Sequence, residues 1–173
     1  MNKTGNALRY PFAQPPAVGE PLEVAPGVLW LRLPLPYALN HINVWILRDA
    51  DSATLVDTGI NSPETRDAWE RVFSGVLAGL PIKRIISTHY HPDHMGASGW
   101  LVQRTGAPFF ATRPEWDTAR KLFQSADAQV HAQIVAEYCR AGLARGRADE
   151  FMRFRARRDG EHVKLPDDVR FLD

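Results

Sequence analysis

Three of the chain's six histidines and one carboxylate fall within six consecutive positions, His89-Tyr90-His91-Pro92-Asp93-His94. The cluster follows the apolar pair Ile85-Ile86 and stops two residues before Gly96. Imidazole nitrogen and carboxylate oxygen are both zinc donors, and a chain leaving a strand can turn several of them toward one point. The bland alternative is a solvated polar loop, which a lone histidine would fit. Four donors in six positions do not fit it. The sequence must therefore supply a strand that ends at about residue 87 and a scaffold that holds its exit.

The residues upstream read as that scaffold. Residues 1–21 carry Pro11, Pro15, Pro16 and Pro21 and are expected to form an extended surface arm. Leu22–Val24 and Val28–Leu33 read as strands turning at Pro26-Gly27, after which Pro34 and Pro36 interrupt the ladder. A loop with Asn40, His41 and Asn43 is expected next. Val44–Leu47 and Thr54–Val56 read as two more strands around the polar turn 49–52. A helix is expected over Pro63–Leu80, with Ser62 as N-cap, Pro63 in the first turn and Trp69, Val72, Phe73, Val76 and Leu77 on one face.

Arg84–Ser87 is then the strand that delivers the histidines. A helix over Met95–Thr105 ending at Gly106 and a strand at Pro108–Ala111 follow. From Pro114 the period is helical, with a break expected near Ser125, interruptions at Gly142 and Gly146, and a helix over Arg147–Arg158. Phe171-Leu172 reads as the start of another strand. Strands first, then strand and helix in alternation, give an α/β class.

His-x-His-x-Asp-His after a strand resembles the signature of the metallo-β-lactamase superfamily. Leu55-Val56-Asp57-Thr58-Gly59, an apolar strand ending in Asp-x-Gly, resembles that family's second marker. The resemblance covers about residues 22–112. It implies an αββα sandwich, here its first half: an arm over 1–21, a core over 22–112 with the metal loop, and a helical segment over 113–173 leading into a second half. It also implies two zinc ions, with His89 and His91 on the first and Asp93 and His94 on the second. Asp93 would hold or accept a proton from the attacking water. Asp57 is a second candidate, either orienting a ligand histidine or bonding nearby N–H groups as a turn carboxylate; the resemblance favours the first. Tyr90 reads as packing, His41 as a surface residue, and neither His131 nor His162 has the setting of the family's third histidine ligand.

The activity implied is hydrolysis of an ester, thioester or amide by metal-bound hydroxide, and no substrate-binding residue is assigned. Two other readings compete. Arg145, Arg147, Arg153, Arg155, Arg157 and Arg158 against Asp149 and Glu150 give a local balance of +4, as a nuclease or phosphodiesterase could use. The net charge of +1 argues against a broad nucleic-acid footprint and favours a solvated arginine-rich helix. The third reading is a metal-binding interaction module without turnover. One cysteine, Cys139, excludes a disulfide framework and a multi-thiolate zinc site, and with no apolar leader or span it points to the cytoplasm rather than a membrane. The partner expected is a small-molecule substrate. If the chain is the first half of a hydrolase, it is expected to be weakly active and to self-associate through sheet left uncovered around Val44–Leu47.

Overall fold

Large apolar side chains at every second position, Leu29, Leu31 and Leu33, then Val44 and Ile46, require one sheet face in an apolar interior. The computed structural model, which describes residues 11–124 and 128–172, has that arrangement. Strands β1 (Leu22–Ala25), β2 (Val28–Pro34), β3 (His41–Arg48) and β4 (Ala53–Val56) form an antiparallel meander. Strands β5 (Ile82–Ile86), β6 (Phe109–Thr112) and β7 (Arg170–Leu172) then add in parallel, in chain order. Parallel neighbours need crossovers. These are α1 (Pro63–Ser74) before β5, α2 (Pro92–Met95) and α3 (Ser98–Thr105) before β6, and α4 (Arg113–Phe123), α5 (Ala128–Arg140) and α6 (Arg145–His162) before β7.

The α/β expectation holds. The core lies between one sheet face and the helices: Ala68, Trp69 and Val72 of α1, Leu101 of α3 and Trp116 of α4 meet Leu31, Leu33, Val44, Leu55, Ile85 and Phe109. The indole N–H of fully buried Trp69 donates to the Thr58 carbonyl at 2.9 Å, fixing the end of β4 against α1. On the other face a row of paired residues crosses the sheet, Leu22, Trp30, Trp45, Val56, Ile86 and Phe110. Val44 and Ile46 are therefore fully buried while Trp45 and Leu47 stay exposed. The described residues contain one sheet of the expected sandwich. No helix among them is long and apolar enough to cross a membrane.

Several expected boundaries move for local reasons. Helix α1 stops at Ser74 because Gly75 leaves helical geometry, and Leu77 reaches the core from the turn that follows. His41 and Asn43 lie in β3, opposite Pro34 and Arg32, since the Leu35 N–H to Asn40 carbonyl bond closes the preceding turn tightly. The single helix expected over 95–105 is two, and the first begins inside the histidine cluster, with Pro92 in its first turn. Gly146 interrupts nothing; it sits in the first turn of α6. The expected break at Ser125 lies outside the described residues. Helices α5 and α6 form a hairpin around Val135, Ala148 and Met152, with half-buried Cys139 against them. The described end of the arm runs beside β2, where Gly19 N–H donates to Arg32 O.

Trp69→Ala removes a fully buried indole and its hydrogen bond. It is expected to cost about 3–5 kcal/mol, measured by urea denaturation. A loss near zero would show that α1 does not secure the end of β4.

Candidate metal centre

Strands β4 and β5 end side by side, Val56 opposite Ile86, and the two markers leave them together. Asp57 continues the pairing through its N–H to Ile86 O at 2.8 Å, then adopts φ 65°, a conformation Asp tolerates better than most side chains. Its carboxylate is 4% exposed and turns over the exit of β5. Oδ1 accepts from the Thr88 N–H at 2.8 Å, the Thr88 hydroxyl reaches both oxygens at 2.9–3.0 Å, and Oδ2 lies 2.9 Å from His94 Nδ1.

A carboxylate only accepts hydrogen bonds, so His94 Nδ1 carries a hydrogen, and in the neutral ring the Nε2 lone pair is left free. That nitrogen lies 3.5 Å from Asp93 Oδ2. Next to it, His89 Nε2 lies 3.0 Å from His91 Nδ1, with the His89 ring 3.9 Å from that of His94 and 4.7 Å from that of His91. The loop is held by its backbone as well. Thr58 donates its N–H and its hydroxyl to His94 O, both at 2.9 Å, and Glu115 at the start of α4 accepts the Tyr90 N–H at 2.8 Å.

Two donors on one zinc, each about 2.0–2.1 Å from it at a tetrahedral angle, lie roughly 3.3–3.4 Å apart. The pairs His89 with His91 and Asp93 with His94, at 3.0 and 3.5 Å, bracket that spacing. Each pair fits half of a tetrahedral shell. Among the described residues no three such donors converge on one point. The protonation tendencies differ between the pairs. Burial lowers the His94 pKa, but the Asp57 hydrogen bond and the charges of Asp57 and Asp93 outweigh it and raise the pKa overall. His89 is lowered by burial and by its neighbours His94 and His91, which keeps it neutral and able to donate.

The structure thus brings together Asp57, His89, His91, Asp93 and His94. The other histidines lie outside both pairs: His41 bonds Asn40, His131 faces Asp149 across the α5–α6 hairpin at 3.9 Å, and the His162 ring lies near Tyr37. Sequence reasoning missed Thr88, Thr58 and Glu115. Thr88, directly before His89, was visible as a polar residue at a strand exit; Glu115 comes from a helix 25 positions on and carried no local signal. A cavity of about 440 Å³ opens beside the cluster, between residues 35–39, the histidine loop and the α5–α6 hairpin.

The profile of the Metallo-beta-lactamase superfamily matches residues 38–171. The chain belongs to this superfamily. A Beta-lactamase domain protein from Burkholderia ambifaria is 35% identical and superposes with a TM-score of 0.72, over 95% of this chain and 47% of that one. A metallo-beta-lactamase family protein from Thermus thermophilus is 27% identical, with a TM-score of 0.70, over 87% and 47%. Among curated relatives, the probable metallo-hydrolase YybB of Bacillus subtilis is 39% identical over 74 residues, 43% of this chain and 31% of that protein. A hydroxyacylglutathione hydrolase of Pseudomonas entomophila is 33% identical over 96 residues, 54% and 35%. The chain spans about a third of those two relatives and about half of the two solved structures.

If the two pairs hold zinc, replacing one imidazole in each, His91→Ala with His94→Ala, should abolish zinc retention in elemental analysis. Asp57→Asn keeps the side chain's shape but removes the charge behind His94, and is expected to weaken zinc binding by ~10–100-fold. Unchanged zinc affinity with a lowered melting temperature would reduce Asp57 to a turn residue.

Proposed function

We propose that this member of the superfamily is a zinc-dependent hydrolase of a small-molecule ester, thioester or amide, with a thioester the best-supported choice. The observation that carries the reading is the pair of half-shells, His89 with His91 and Asp93 with His94, set at zinc spacing beside an open cavity. Relatives named hydroxyacylglutathione hydrolase favour a thioester. Zinc bound there would supply Lewis acidity and an acidified water at neutral pH.

The side chains have separate tasks in this reading. His89 and His91 would hold one ion, Asp93 and His94 the other. Asp57 keeps the His94 lone pair aimed by occupying its Nδ1–H. Asp93 has two oxygens, so it can hold a cation with one and take a proton from the attacking water with the other. A hydrolysed thioester exchanges its C–S bond for C–O, giving a carboxylate and a thiol.

A second reading uses the same donors. The same two donor pairs could hold a metal ion in an interaction module without turnover. The phosphodiesterase reading gains less, because Arg145, Arg147, Arg153 and Arg157 of α6 face solvent. A panel of thioester, lactone, β-lactam and phosphodiester substrates, offered to the zinc-loaded chain, separates the three. Thioester turnover is expected, falling ~100-fold or more in Asp93→Asn. Zinc binding with no turnover of any substrate would establish the module, and phosphodiester cleavage alone would establish the nuclease.

A further inference from the structure

The arginines of α6 are not alike. Ala148 and Met152 pack that helix onto α5, and Arg145 faces Asp149 at 3.9 Å from an exposed position. Phe151 and Arg155, one turn apart and so on one helix face, point instead to the cavity beside the histidine loop. Arg155 is half-buried, whereas Arg147, Arg153 and Arg157 are exposed. Tyr138 of α5 meets the Phe151 ring edge-on at 5.4 Å. Across the cavity stand Leu35 and Leu39, and His91 and Asp93 of the metal centre line the same space.

The cavity lining therefore combines the imidazole of His91 and the carboxylate of Asp93 with one guanidinium and several apolar or aromatic side chains. Leu39 is 61% and Phe151 43% exposed, so large apolar groups on both sides remain available to a ligand. Its volume of about 440 Å³ suits a small molecule, for which pockets run to about 300–1,000 Å³. Among the described lining residues Arg155 is the one permanent cation. It already interacts within the protein, but a guanidinium has five N–H donors and can serve an internal partner and an incoming anion together.

We propose that this cavity is the acyl subsite, that it takes a linear acyl chain ending in a carboxylate, and that Arg155 selects for that carboxylate. The substrate class is then the thioester of a dicarboxylic acid, a refinement that rests on the hydrolase reading of the metal centre. The reacting carbonyl lies at the His91–Asp93 end, the methylenes run between Phe151, Tyr138 and the two leucines, and the distal carboxylate meets the guanidinium. Hydrolysis breaks the C–S bond and forms C–O from water; one proton of the water goes to the thiol and the other to solvent, leaving the dicarboxylate as product.

Calorimetry on the zinc-loaded protein tests this without turnover. Dicarboxylates from succinate to suberate are titrated, each against the monocarboxylate of equal length. At the matching length the dicarboxylate is expected to bind about tenfold more tightly, the scale of one charge-assisted contact at a partly open site. Arg155→Met should erase that preference and leave the monocarboxylate affinity in place. Arg155→Lys, which keeps the charge without the planar fork, should give an intermediate preference and replaces the Met variant if that one does not fold. No preference at any length, or a preference that survives loss of Arg155, overturns the subsite. Paired turnover of adipyl and hexanoyl N-acetylcysteamine keeps the two levels apart. Selective binding without turnover would remove the hydrolase reading and with it the acyl role, leaving a dicarboxylate-binding cavity, whereas turnover without selectivity would overturn the subsite and keep the hydrolase.

Discussion

A single buried carboxylate holds the centre of this molecule together. Asp57 is 4% exposed and would be costly there without partners. It has them from two directions: the Thr88 N–H and hydroxyl at the exit of β5, and His94 Nδ1 on α2. The same contacts that make its burial tolerable set the histidine loop on the end of the sheet. Thr58, next in sequence, adds two bonds to His94 O, and Trp69 of α1 holds the Thr58 carbonyl from behind. Loop, sheet and first helix are thus coupled through two adjacent residues, and a change at either should be felt at the histidine loop.

Close backbone approach completes the frame. Residues 162–165, leaving α6, cross the start of α3, where Lys164 N–H donates to Gly96 O and Gly99 N–H donates to Lys164 O, both at 2.7 Å. A Cβ on Gly99 would come within 2.6 Å of the Leu165 carbonyl. The contact brings the chain back to the sheet as β7, and it ties the α5–α6 hairpin to the element that carries Asp93 and His94. The sheet positions the candidate donors, and the hairpin stands beside them as one wall of the cavity.

Much of this frame was legible in the sequence. Alternating Leu29, Leu31 and Leu33, and the apolar strand ending at Asp57, gave away the sheet because period-two burial leaves a local mark. The histidine motif is legible because its residues are nearly consecutive. Other features depend on residues distant in sequence meeting in space. The left-handed turn at Asp57 and its bond to Thr88 exist only because β4 and β5 are parallel neighbours. Glu115 bonding Tyr90, and Arg155 facing the cavity while its neighbours face solvent, depend on how the later helices dock. The end of α1 is not legible, because Val76 and Leu77 are apolar for a turn that packs on the core, and helical period cannot tell that from another turn of helix. Nor is the strand position of His41, because Pro34 and Pro36 precede it and yet β2 pairs through Pro34.

Asp57 sets the tautomer of neutral His94 and thereby leaves a free Nε2 on the side of Asp93. Nitrogen-15 NMR of the histidine rings reads this directly, recorded without metal and at a pH where His94 is neutral. A His94 ring protonated at Nδ1 and bare at Nε2, changing its tautomer balance in Asp57→Asn, is the predicted result. A His94 ring protonated at Nε2, with Nδ1 bare beside a carboxylate that cannot donate, would contradict the account.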